Sequence, residues 1–199
     1  MKMKNILIPL VAVLLCGAVL FGLNLGLKSL REKTEEETLL WHMQTVLPGS
    51  SDFTEEEYAG EDTNIRRVFK TETGYVIETV TYGYADEITM YIGVNLEGKV
   101  TGLVVYDAHE TLGLGSKALT DHVFLAQFLN QEGSFAVATS GADAFSGATG
   151  TTESAGDEVQ VDGITGATVT SKAVVRCVNS AVAYVTGADA TSSATTWGG

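Results

Sequence analysis

IRRVFKTE (65–72), YVIETVTYGY (75–84), EITMYIGVN (87–95) and KVTGLVVYD (99–107) follow one another through the middle of the chain. They are rich in Val, Ile, Thr and Tyr, whose branched or flat side chains suit a pleated, half-buried surface. Thr73-Gly74, Ala85-Asp86 and Leu96-Glu97-Gly98 separate them with turn-forming residues, so each strand is predicted to fold back on the last. The result is an antiparallel meander, the core of a small α+β domain with helices flanking the sheet.

Outward from the meander, 118–131 is predicted as a helix with Leu119, Val123, Phe124, Ala126, Phe128 and Leu129 on its apolar face. A second helix is predicted over 171–185, with Val174, Val175, Val178, Ala181 and Val185 facing inward. Residues 134–139 and 158–162 read as two further strands. The Gly, Ala, Ser and Thr of 140–156 read as an exposed loop between them. Ahead of the meander, 50–64 is acidic and reads as a loop.

The N-terminal end has a different composition. Residues 5–27 carry no charge, and at about 1.5 Å per residue they match a bilayer core of about 30 Å. The apolar run is longer than a signal-peptide core, and no small-x-small cleavage site follows it, so an uncleaved anchor is expected. Residues 28–47 continue as a helix that Pro48-Gly49 stops, and 28–49 is read as a helical stalk. The predicted organisation is therefore an anchor at 1–27, a stalk at 28–49, a domain at 50–187 and a small, polar tail at 188–199. Lys2 and Lys4 on one side of the anchor nearly balance Lys28, Arg31 and Lys33 on the other, so the charge count leaves orientation open.

The net charge is −13, and all 25 acidic residues lie beyond Leu27. Such a surface repels phosphate backbones, which excludes nucleic acid as a partner. Cys16 and Cys177 are too few for a disulfide scaffold, and no paired Cys or His spacing suits a metal. His42, His109 and His122 are scattered, and no nucleophile motif accompanies them. No catalytic residue is assigned.

The chemistry concentrates in Asp162-Gly163-Ile164-Thr165-Gly166-Ala167-Thr168-Val169-Thr170-Ser171. This stretch joins a predicted strand to a predicted helix that Thr170 or Ser171 can cap. It reads either as a Gly-rich turn with a good cap or as an anion site, because free N–H groups and the helix dipole favour a phosphate there.

Asp-x-x-Thr-Gly-Ala-Thr followed by Thr-Ser and a Val-rich helix resembles the flavinylation motif of the FMN-binding domain family. The resemblance implies FMN joined through its phosphate to Thr168, installed by a separate flavin transferase that uses FAD. Asp162, Thr165, Gly166, Ala167, Thr170 and Ser171 are then cofactor-binding. Asp107-Ala108-His109-Glu110-Thr111-Leu112-Gly113-Leu114-Gly115-Ser116-Lys117 resembles the family's His-x-Glu-Thr-Pro-Gly-Leu-Gly loop, with Leu112 in place of Pro and His109 directly before Glu110. This adds Glu110, Thr111, Gly113, Leu114 and Gly115 as flavin-lining residues. Asp143-Ala144-Phe145-Ser146-Gly147-Ala148-Thr149 matches the motif a second time, but no apolar helix follows it, so Thr168 is preferred over Thr149.

Within the family the layout is most similar to the G subunits of Rnf-type ion-translocating ferredoxin:NAD oxidoreductase complexes. The C subunits of sodium-translocating NADH:quinone reductases are close relatives. The resemblance implies a single-pass membrane protein with its N-terminus cytoplasmic and its domain on the outer face. It would relay electrons among other integral membrane subunits and would not turn over alone. Two alternatives are a stand-alone tethered flavoprotein for extracellular electron transfer and a pseudopilin-like structural subunit without flavin. Neighbouring genes distinguish the first, and the colour of the purified protein the second.

Overall fold

A computed structural model describes residues 4–138 and 158–187. The expected exposed loop at 140–156, the second motif match at Thr149 and the tail at 188–199 lie outside the described residues. The chain divides into two compact units, Met1–Trp41 and His42–Gly199. Helix α1 spans Lys4–Val46. Among the described residues no helix is long and apolar enough to cross a membrane. The expected anchor draws on 1–13 and 24–27, whose side chains are outside the described ones.

The second unit is built on a five-stranded antiparallel sheet in sequential order, β1 (Thr54–Glu56), β2 (Ile65–Lys70), β3 (Gly74–Tyr82), β4 (Glu87–Asn95) and β5 (Val100–Ala108). The four predicted strands are β2 to β5, and β1 adds a short edge within the acidic stretch expected to be a loop. Then follow α2 (Gly115–Thr120), α3 (His122–Ala126), β6 (Phe135–Ala138), β7 (Val159–Asp162) and α4 (Thr168–Thr186). The pair β6–β7 is parallel, in register from Phe135↔Val159 to Ala138↔Asp162.

Both faces of the large sheet are covered at its centre, where β3 and β4 are buried almost without a break, while β2 and β5 are partly exposed. On one face Ile77, Ile88, Met90, Ile92 and Val94 join Val174, Val178 and Ala181 of α4 in the main core, together with Phe124, Phe128 and Phe135. The other face receives the last turn of α1. There Gly93 of β4 pairs with Gly102 of β5, and a Cβ on either would strike the backbone of Val46. The two glycines let the helix backbone approach closely. Thr101 Oγ1 donates to the Val46 carbonyl at 2.6 Å, and Met43, Val46 and Leu47 are buried. Residues 42–47, part of the expected stalk, thus belong to the core of the second unit.

On that same face Glu78 is buried, opposite Arg67 on β2 and Tyr91 on β4. Arg67 Nε donates to its Oε2 at 2.6 Å, and the Tyr91 hydroxyl donates to the same oxygen at 3.1 Å. His42 stacks on Tyr91, and Tyr106 meets both rings edge-on.

Two predicted helices have different limits. The helix expected over 118–131 begins earlier, at Gly115, and breaks at Asp121. Asp121 is extended, ends α2 and caps α3, its Oδ1 accepting from Val123 N at 2.9 Å and Phe124 N at 3.1 Å. A side-chain acceptor there competes with continuing the helix. Helix α4 begins at Thr168, three residues before the expected start, so Thr170 and Ser171 lie inside its first turn and do not cap it.

Candidate functional site at the start of α4

The first turn of α4 is built from a Gly turn and three short side chains. Ala167 N donates to Ile164 O at 2.9 Å, closing a four-residue turn with Gly166 third at φ +81°. A positive φ at that position is what a type II turn requires, and glycine supplies it without strain. Ala167 follows as the N-cap residue and has no side-chain acceptor to offer. The first intrahelical bond is Ser171 N to Ala167 O at 2.9 Å. The N–H groups of Thr168, Val169 and Thr170 therefore have no acceptor within the helix. Thr168 is the first helical residue and half-buried, with its hydroxyl at the positive end of a 19-residue helix.

The hydroxyls expected to cap α4 are used elsewhere. Ser171 Oγ accepts from Ile164 N at 3.1 Å, fastening the turn to the helix. Thr170 is fully buried, and its Oγ1 donates to Glu110 Oε2 at 3.3 Å. The other oxygen of Glu110 accepts from Tyr84 N at 2.8 Å and Ala85 N at 3.3 Å. One carboxylate thus ties the β3–β4 turn, the 109–115 loop and α4. The space around it is closed: a Cβ on Gly83 would meet Oε1, and one on Gly115 would meet Oε2 and Thr170 Oγ1.

The 109–115 loop repeats the geometry of the 164–167 turn. Leu114 N donates to Thr111 O at 3.3 Å, with Gly113 third at φ +80°. Gly113 N also donates to Ser116 Oγ at 3.0 Å. The two turns lie close together, since a Cβ on Gly166 would sit 3.2 Å from Leu114 Cδ2. The structure therefore brings Glu110, Leu114, Gly115, Gly166 and Thr170 into one neighbourhood at the start of α4. Thr111, Gly113 and Thr165 are exposed on its rim, as is Leu112, at 90 %.

Asp162 stands apart from this cluster by its side chain, which is exposed. Its backbone is fixed by Gln127, whose amide oxygen accepts from Asp162 N at 2.7 Å and whose Nε2 donates to Asp162 O at 3.1 Å. Sequence reasoning does not reach Gln127, nor Gly83, Tyr84 and Ala85. Gly83-Tyr84 before a turn is the only trace of them in the sequence. His109 and His122 are exposed, and His109 Nδ1 lies 3.8 Å from Asp107 Oδ1.

The arrangement can hold an anion at the N–H groups of α4 beside a hydroxyl, with two Gly turns giving a close approach. A phosphate ester of Thr168 fits it, because Gly166 and Ala167 leave that end of the helix without a bulky or capping side chain.

The FMN-binding domain model matches residues 83–183, half of the chain. The matched region holds both Gly turns, Glu110 and Thr168. The chain is 34% identical over 110 residues to the G subunit of the Na(+)-translocating ferredoxin:NAD(+) oxidoreductase complex of Acetobacterium woodii, covering 55% of this chain and 47% of that protein. It thus spans about half the length of that relative. It is 28% identical to the G subunit of the ion-translocating oxidoreductase complex of Methanosarcina acetivorans, over 92% of this chain and 95% of that one. The C subunit of the Na(+)-translocating NADH-quinone reductase from Parabacteroides distasonis shares the fold, with a TM-score of 0.56 at 18% identity, covering 84% of this chain and 98% of that one.

Proposed function

The chain belongs to the FMN-binding domain family, and from that premise we propose that it is a membrane-anchored electron carrier holding FMN covalently, through its phosphate, on Thr168. The observation that carries this reading is the uncapped start of α4, with the Thr168 hydroxyl beside three N–H groups that lack helical acceptors. A separate flavin transferase forms the O–P bond at Thr168 Oγ1 and breaks the pyrophosphate bond of FAD, with AMP leaving. When bound, FMN supplies one- and two-electron redox chemistry, while the protein positions it and sets its surroundings.

Each residue around Thr168 has a part in that positioning. The α4 N–H groups stabilise the phosphate charge. Thr165, Gly166 and Ala167 leave room for it, and Asp162, held by Gln127, fixes the strand from which the turn departs. Ser171 and Thr170 brace the turn from behind. Glu110, Thr111, Gly113, Leu114 and Gly115 form the neighbouring wall.

The rest of the proposal follows the G-type relatives. Residues 1–27 anchor the chain by a single pass with the N-terminus cytoplasmic, and 28–49 lead to the flavin domain at 50–187 on the outer face, with 188–199 as its tail. Other integral membrane subunits of an Rnf-type ion-translocating complex deliver and withdraw the electrons, so the isolated chain does not turn over. A tether keeps an extracytoplasmic flavin from being lost by dilution.

Intact mass of the full chain, expressed with and without a flavin transferase, tests the reading. The expected gain is one FMN less one water, present only with the transferase and absent from Thr168→Val. A flavopeptide mapped to Thr149 or Thr170 would overturn the assignment to Thr168. Absence of flavin despite a competent transferase would remove the electron-carrier reading.

A further inference from the structure

Away from Thr168, a cleft of about 600 Å³ opens between β2, the end of β3 and α4. Asn64, Arg66, Thr81, Tyr82, Glu87 and Arg176 contribute to its lining. We propose that this cleft is a second binding site, for a small organic anion carrying a carboxylate or phosphate on a body no larger than a mononucleotide.

Its two guanidinium groups come from different elements, and each is placed by the fold. Arg66 is the extra residue of a bulge in β2: Ile65 pairs with Thr79 and Arg67 with Glu78, leaving Arg66 without a partner position. A bulge re-aims a side chain that regular pleating would direct elsewhere. Arg176 is pinned from below, its Nε donating to Thr81 Oγ1 at 3.3 Å and its Nη2 to Tyr82 O at 2.8 Å. Those two bonds leave Nη1 for a ligand. Arg66 forms ion pairs with Glu78 and Glu87, both at 3.8 Å and beyond hydrogen-bond range, so its charge is partly offset while its N–H donors can still turn to a ligand.

The charge balance selects the ligand. Glu87 is the single carboxylate among the lining residues, and the neighbouring Glu78 is shared between Arg66 and Arg67, so three guanidiniums with Arg176 against two carboxylates leave a net positive charge. The chain as a whole carries −13, which repels a polyanion at long range. A ligand with one or two charges meets the local arginine pair within a screening length of about 8 Å. Guanidinium forks match the planar geometry of carboxylate and phosphate oxygens. The exposed ring of Tyr82 offers an apolar wall, while Asn64 and Thr81 add polar atoms. The volume lies within the range of small-molecule sites, about 300–1,000 Å³. Arg176 lies eight residues beyond Thr168 on α4, about 12 Å along the helix axis, so the cleft is separate from the flavin attachment point.

Calorimetric titration of the full chain in mild detergent tests the site, with AMP, succinate and inorganic phosphate as probes. The expected result is saturable one-to-one binding of at least one probe. Arg66→Gln and Arg176→Gln should each weaken it by about tenfold or more. Arg66 makes no short contact, so Arg66→Gln keeps the fold and decides the matter alone if Arg176→Gln unfolds. Binding of none of the three probes, or equal affinity in the arginine variants, would overturn the proposal.

Discussion

Thr170 Oγ1 lies 3.3 Å from Glu110 Oε2, although 60 residues separate them in the chain. The same carboxylate accepts the backbone N–H groups of Tyr84 and Ala85. Glu110→Ala leaves those two donors and a buried hydroxyl without their acceptor. The expected cost is about 1–3 kcal/mol in denaturant unfolding. In protein that still carries flavin, the absorption maximum or midpoint potential should shift, because the start of α4 and the 111–114 turn lose their common tie. Unchanged stability and spectrum would reduce Glu110 to a surface acid.

Leu112 occupies the second position of the 111–114 turn, is 90 % exposed, and precedes Gly113 at φ +80°. Proline pre-sets the backbone for that position of a type II turn. Leu112→Pro should therefore raise stability by about 0.4–1 kcal/mol, mainly by restricting the unfolded chain. Thermal unfolding of the variant checks this, and a loss of stability would show that the Leu112 backbone does not adopt the turn conformation.

Much of this arrangement was legible in the sequence. The meander could be read because β-branched runs alternate with turn pairs such as Thr73-Gly74, and both signals are local. The two glycine loops could be read as motifs, and Gly113 and Gly166 do hold positive φ. The Asp121 break could not, because the apolar spacing of Leu119, Val123 and Phe124 continues straight through a residue whose preference is to cap. Thr170 and Ser171 mislead for a related reason: both are good caps by type, yet tertiary partners claim their hydroxyls. The Glu110–Thr170 tie and the Gly93–Gly102 pairing depend on register and on contacts far apart in the chain. No local pattern encodes either.

Glu78 shows what such a distant contact is worth. It is buried against Arg67 and Tyr91, and Glu78→Ala would strand both donors on the covered face of the sheet. Because Arg67 is partly exposed and can turn toward water, the expected loss is about 2–4 kcal/mol, near or below the usual cost of breaking a buried pair. Tyr91→Phe removes two hydrogen bonds, the one its hydroxyl donates to Glu78 and the one it accepts from Arg67 Nη2 at 2.9 Å, and keeps the ring packing, so about 1–3 kcal/mol is expected. The double variant should cost less than the sum of the singles. Strict additivity in urea unfolding would mean that the three side chains do not act together.

Gly102 has a different role, as a space. A Cβ there would lie 2.7 Å from both the Cα and the carbonyl oxygen of Val46, and those atoms are backbone. Gly102→Ala should cost about 1–3 kcal/mol by forcing the last turn of α1 away from the sheet. Amide hydrogen exchange should quicken at 43–47 and remain slow in α4. Uniform loss of protection, or none, would contradict this local account.

Gly166 combines conformation and space at the start of α4. Its φ of +81° is strained for any residue with a Cβ, and an added methyl would sit 3.2 Å from Leu114 Cδ2. The positive φ alone costs alanine about 1–2 kcal/mol. The Leu114 side chain can give by a few tenths of an ångström, so the steric part is smaller. The core lies elsewhere, so Gly166→Ala should fold, with a modestly lowered midpoint of thermal unfolding. The turn closed by Ala167 N and Ile164 O would relax, and Thr168 with it, moving its hydroxyl relative to the free N–H groups of α4. The fraction of chains carrying flavin, read by intact mass after limited exposure to the transferase, should therefore fall more than stability does. Gly163→Ala provides a contrast, because its added methyl presses on the Val137 side chain at 2.7 Å and reaches Ser171, which holds the turn, only at an ordinary contact distance of 3.5 Å. Equal flavin loading in wild type and Gly166→Ala would show that attachment at Thr168 does not depend on the turn before it.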